Sequence, residues 1–74
     1  MNFSKGDRVI INPESQYQHQ GYSDDIQLIG TIISTKTNYK DFMYLVDWEG
    51  GKHGLLYNDE DLFPFNSELN YEIH

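Results

Sequence analysis

Asp59-Glu60-Asp61, with Asp47 and Glu49 earlier in the chain, is the densest set of potential oxygen ligands in the sequence. A calcium loop places its ligands at alternate positions around a glycine turn. That spacing is absent, so the acidic run reads as a solvated turn in which Asp61 caps nearby backbone. His19, His53 and His74 show neither H-x-H nor H-x-x-x-H spacing and read as surface histidines rather than zinc ligands. Ser4, Ser15, Ser23, Ser34 and Ser67 lack the glycine pattern of a nucleophile elbow, and a nucleophile also needs a base and an orienting group. The expectation is a protein that is not an enzyme and carries no metal and no cofactor. Binding chemistry remains. Tyr17, Tyr22, Asp24 and Asp25 put rings and carboxylates together in one polar stretch.

A chain of 74 residues forms one domain near the lower limit for burying a core unaided. With no cysteine, apolar packing must hold it, and an aromatic content of 15% supplies large buried areas per side chain. Five basic residues against twelve acidic ones give a formal charge of −7, which repels a phosphate backbone and suits a partner with a basic patch. No apolar stretch approaches the roughly 20 residues that span a bilayer. Met1-Asn2-Phe3-Ser4-Lys5 has no apolar leader core, so a cytoplasmic chain off the membrane is expected.

The positioning elements read as strands. The first covers residues 7–12 and stops at Pro13, which cannot donate to a ladder. Residues 14–26 form a long polar surface loop, of a length more often functional than decorative. A second strand covers residues 28–35, with Gly30 marking a bend or a close backbone approach. The third covers 42–48 and turns through Glu49-Gly50-Gly51 into a fourth over 52–57. Asn58 to Asp61 reads as a 3₁₀ turn, and 62–65 as an edge strand that tolerates Pro64. The domain is assigned to 1–65 and a C-terminal arm to 66–74.

Lys5-Gly6-Asp7-Arg8-Val9, Gly30-Thr31-Ile32, Val46-x-Trp48-x-x-Gly51 and Tyr57-x-x-x-Asp61-Leu62, in that order, resemble the pattern of small SH3-like barrels. Such barrels occur in Tudor-like modules, in the mind-bomb type of domain and in short accessory proteins of tailed bacteriophages. The resemblance spans residues 5–63. It implies an all-β fold: a five-stranded, strongly bent antiparallel sheet with a long loop between strands one and two and a 3₁₀ turn before strand five. Tudor-like readers of methylated residues hold a cation in an aromatic cage. Tyr17, Tyr22, Tyr39 and Tyr44 do not match the spacing of such a cage.

Strand side chains alternate between faces, so Val9, Ile32, Val46 and Trp48 inward bring Ile11, Gly30 and Tyr44 with them. Ile10, Ile29, Ile33, Met43 and Leu45 then face outward on neighbouring strands, as one apolar patch that must be covered or used. Leu69, Tyr71 and Ile73 of the arm can cover it, a partner protein or a second copy can, or a bulge can reverse the parity.

The functional expectation is a non-catalytic protein-interaction module. By the resemblance it is a phage-type accessory protein that binds and modulates a host protein, and then it lies in the host cytoplasm. Binding is assigned to Tyr17, Tyr22, Asp24 and Asp25, with Trp48 where its edge reaches the loop, and then to Ile33, Met43 and Leu45. The protein is expected as a monomer or weak homodimer. The alternative is an acidic nucleic-acid mimic, an anti-defence inhibitor filling a basic groove. Direct nucleic-acid binding is disfavoured, since it requires Arg8, Lys36, Lys40 and Lys52 to converge.

Overall fold

A computed structural model describes residues 2–66. The arm from residue 67 on, with Leu69, Tyr71 and Ile73, lies outside the described residues. The described residues form seven strands: β1 (Arg8–Ile11), β2 (Tyr22–Ser23), β3 (Ile26–Gln27), β4 (Gly30–Ser34), β5 (Tyr44–Trp48), β6 (Leu55–Tyr57) and β7 (Leu62–Pro64). Two 3₁₀ turns, Gln18–Gly21 and Asp59–Asp61, complete the regular structure of these residues. Among the described residues there is no α-helix, and none long and apolar enough to cross a membrane.

Five strands make one antiparallel sheet in the order β6-β5-β4-β1-β7, curled into a half-barrel over the core. The alternation read from sequence sets its two faces. Val9, Ile11, Ile32, Val46 and Trp48 are fully buried, and Tyr44 nearly so. Tyr57, Leu62 and Phe3 close the cluster. Phe3 is held by a ring contact edge-on to Tyr44 at 5.4 Å, and its N–H donates to the Tyr44 hydroxyl at 3.1 Å.

Gly30 is a close approach. A methyl group there would meet two ring carbons of Trp48 and a methyl of Val46, each at 2.8 Å. Only glycine lets the indole lie against the β4 backbone.

All five strands of the sheet are shorter than the sequence reading, the first and last by one or two residues. The second and third cover Gly30–Ser34 and Tyr44–Trp48. The fourth strand begins at Leu55 rather than Lys52. Its connection is wider than the expected Glu-Gly-Gly turn because Gly54 also takes a positive φ of 69°, and its N–H donates to the Asp47 carboxylate at 2.7 Å. The expected loop of residues 14–26 is itself structured: β2 and β3 pair as a separate hairpin.

Candidate interaction surface

The long connection between β1 and β4 is tied to the barrel at three levels. At its start, the Asn12 N–H donates to the Asp61 carbonyl and the Asn12 side-chain amide to the Glu60 carbonyl. The Ser15 hydroxyl then donates to the buried Asp61 carboxylate at 2.8 Å and accepts the Tyr17 N–H at 3.0 Å. Asp61 also accepts the Asn58 N–H at 3.0 Å, so the capping role read from sequence is present, with Ser15 as an added partner.

Further along, the Tyr57 hydroxyl accepts from the Trp48 indole at 2.8 Å and donates to the Gln20 side chain at 2.7 Å. Finally, the Leu28 N–H donates to the Gly21 carbonyl, closing the base of the β2–β3 hairpin. Gly21 packs so closely on Ile11 that a side chain there would overlap it.

The hairpin turns through Asp24 and Asp25, at φ 48° and 66°. A two-residue turn of this hand requires positive φ at both central positions, where asparagine and glycine are the usual occupants. Two aspartates accept that conformation with more strain. Around them Gln18, His19 and Tyr22 complete a shallow hollow of about 390 Å³. Ile26 stands beside it, 67% exposed and paired across the hairpin with Ser23.

The residues assigned to binding divide accordingly. Tyr22, Asp24 and Asp25 lie together on the hairpin. Tyr17 is half-buried and faces the other way, edge-on to Tyr57 at 6.1 Å and tilted against Phe42 at 6.4 Å. Trp48 is 0% exposed and offers a partner no area; its hydrogen-bonded link to the loop runs through the Tyr57 hydroxyl to Gln20. Ile26, at the end of the expected polar loop, has the highest fractional exposure of the large hydrophobic residues described. The alternation of Tyr22 with Ile26 around an Asp-Asp pair is the signal that a hairpin reading needed.

The outer face of the sheet carries two apolar patches instead of one. Ile10 lies opposite Phe63, and the same register places Ile29 on its other side. Leu45 lies between Ser34 and Leu56, and a register shift between Ile32 and Ser34 makes Ile33 the extra residue of a bulge. Between the patches runs the row Arg8, Thr31, Asp47. Arg8 bonds Glu49 at 2.5 Å, and His53 approaches Asp47 at 3.7 Å. Ile10, Ile29, Ile33 and Leu45 are half-buried, while Met43 is exposed. Among the described residues no group of three or more His, Cys, Asp or Glu is placed to hold a metal.

Two buried tyrosines link this scaffold to pH. Burial pushes the Tyr57 phenol up to about 12, with the Asp61 charge adding to the rise and the Trp48 hydrogen bond opposing it. Burial, then the hydrogen bond to Asp59, raises Tyr44 as well. An unfolded tyrosine ionises near 10. The stabilisation from Tyr57 is therefore complete below about pH 10 and is lost as pH rises through about 12, at about 1.4 kcal/mol per pH unit. Urea midpoints measured across that interval are expected to fall steeply for the parent and less steeply for Tyr57→Phe. Equal slopes would remove Tyr57 as the cause.

Compared with known protein families, with curated proteins and with solved structures, the chain matches none.

Proposed function

We propose that the protein is a non-catalytic interaction module on an SH3-like barrel, and that it binds another protein through the β2–β3 hairpin. The observation that carries this is Ile26, 67% exposed beside two aspartates held at positive φ. A solvent-facing isoleucine contributes nothing to the core, and backbone strain kept at an exposed turn is a mark of functional sites. The surrounding bonds from Ser15, Gln20 and Gly21 hold the hairpin base on the barrel, which lowers the ordering cost of binding.

The partner fitted by this surface carries Lys or Arg next to an apolar anchor, in line with the charge of −7. By the resemblance, it is a host protein modulated by a phage-type accessory chain. The mimic reading draws less support. Asp7, Asp47, Glu49, Asp59 and Asp61 accept hydrogen bonds from the protein's own groups, which removes them from a row of phosphate-like charges.

The test is capture from a host lysate, followed by titration of the captured protein with salt and with variants. Ile26→Lys and the double change Asp24→Lys with Asp25→Lys are each expected to weaken binding at least tenfold while the circular dichroism spectrum stays unchanged. Undiminished binding by both sinks the hairpin reading. Binding carried by the apolar anchor persists partly at high salt, whereas a mimic loses affinity steeply.

A second outcome separates binding from folding. Asp25→Gly relieves the positive φ and is expected to raise stability by about 0.5 kcal/mol. The same change removes a carboxylate from the surface and is expected to weaken the partner. Chemical denaturation and affinity, measured together, check both halves.

A further inference from the structure

Leu45 and Leu56 are cross-strand neighbours on the outer face of β5 and β6. The connection from β4 to β5 folds over them, so that Lys36, Thr37, Asn38 and Tyr39 wall a hollow of about 170 Å³ above the two leucines. That is comparable with the roughly 150 Å³ apolar cavity that admits one benzene ring. The wall is built in advance. The Ser34 hydroxyl accepts the Lys36 N–H at 3.1 Å, and the Thr37 hydroxyl lies within reach of the Tyr39 and Phe42 carbonyls. The Asn58 side-chain amide donates to the Asp41 carbonyl, pinning the far end of the same connection. Tyr39 nonetheless stays 62% exposed.

The charge here is opposite to that of the molecule. Lys36 is on the wall, Lys40 is in the same connection, and none of the six lining residues is acidic, in a chain of net charge −7. Neither lysine forms an ion pair with a described residue. Arg8, by contrast, is held by Glu49.

We propose that this hollow is a docking site for one apolar side chain, aromatic or branched, of a partner protein segment whose neighbouring residues are acidic. The leucine floor and the Tyr39 ring supply the apolar contact, and Lys36 and Lys40 select carboxylates beside the anchor. The proposal rests on the reading of the protein as an interaction module, not on the hairpin as its surface. It gives the molecule two recognition points of opposite charge, one acidic at Asp24 and Asp25 and one basic at Lys36 and Lys40.

The probe is N-acetyl-phenylalanine, whose carboxylate stands in for the acidic neighbour, with N-acetyl-phenylalanine amide as its neutral counterpart. Methyl signals are followed in the full chain, with those of Ile26 as the internal reference for the hairpin. The acid is expected to move Leu45 and Leu56 saturably in the millimolar range while leaving Ile26 in place. The amide and the Lys36→Glu variant are each expected to bind about two- to fivefold more weakly, the range of an exposed ion pair. Leu45→Ser is expected to abolish the saturable shift. Lys36→Glu, a surface change, keeps the test interpretable where Leu45→Ser compromises folding.

Shifts that never saturate, or that appear equally at Ile26, overturn the site. Equal binding of acid and amide overturns the acidic partner. Methyl shifts at Leu45 and Leu56 caused without probe by Leu69→Ser, Tyr71→Ser or Ile73→Ser assign the hollow to the chain's own arm. Shifts that vanish on dilution assign it to a second copy. Failure of the hairpin variants to affect capture leaves all these readouts standing, so the two readings fall separately.

Discussion

Trp48→Ala is expected to leave the protein largely unfolded at room temperature. The indole is 0% exposed, meets Tyr57 edge-on at 5.7 Å and lies against Gly30. Truncating a buried tryptophan to alanine costs about 3–5 kcal/mol. A domain of 74 residues has a total stability of roughly 4–11 kcal/mol. A domain this small lies toward the low end of that range, where the loss removes most or all of the margin. Trp48→Phe is the informative companion. It retains much of the packing but removes the N–H that donates to the Tyr57 hydroxyl, and is expected to cost about 2 kcal/mol. Because this is the only tryptophan, urea unfolding must be followed by circular dichroism rather than by indole fluorescence. An alanine variant whose stability stays within about 1 kcal/mol of the parent contradicts the packing described.

Asp61→Ala is the second large effect, expected at about 3 kcal/mol. Asp61 is 5% exposed and its carboxylate accepts from the Ser15 hydroxyl and from the Asn58 N–H. Alanine leaves both donors without their acceptor and releases the connection at Ser15, while the Asn12 bonds to the Asp61 and Glu60 carbonyls remain. Asp61→Asn keeps one oxygen in place and is expected to cost about half as much. The pair is distinguished from a generic core loss by where protection falls. Native-state hydrogen exchange is expected to speed up first at Tyr17 and Asn58, whose amides depend on Ser15 and Asp61, before the β4 and β5 amides respond. Uniform acceleration over the whole sheet contradicts the local role. Binding by the proposed hairpin surface is expected to weaken in Asp61→Ala even where folding is complete, because the Ser15 tie of its anchorage is lost.

Legibility from sequence followed the range of the interactions. Alternation is local and of period two, so once Val46 and Trp48 were taken inward, Ile11, Gly30 and Tyr44 came with them correctly. Gly30 was readable as a close approach, although the ring that approaches it was not. The 3₁₀ turn at Asp59–Asp61 and its cap were readable because both partners lie within one turn.

The rest depended on contacts no spacing announces. Ser15 meets Asp61 across 46 positions, and Gln20 meets Tyr57 across 37. The β2–β3 hairpin escaped because its strands have two residues each and its turn uses aspartates where glycine would be the signal. The bulge at Ile33 does not alter the parity of Ile32 or Val46; the row Arg8, Thr31, Asp47 is what divides the outer apolar patch into two. Ile26, the residue on which the binding proposal turns, was hidden by the same missing hairpin.

The sheet order has a consequence for how the chain is made. β1 is drawn near the start of the sequence but sits between β4 and β7, and its partner β7 comes from the far end of the domain. While the polypeptide emerges, β4, β5 and β6 can assemble by neighbour-to-neighbour pairing. The edge of β1, with Ile10 and Ile11 on it, stays unpaired until residues 62–64 arrive. The Ser15–Asp61 bond forms at that same moment. Maturation of the β2–β3 hairpin's anchorage is therefore timed by β7, and a nascent chain stalled short of residue 61 carries the hairpin sequence without the platform that orients it.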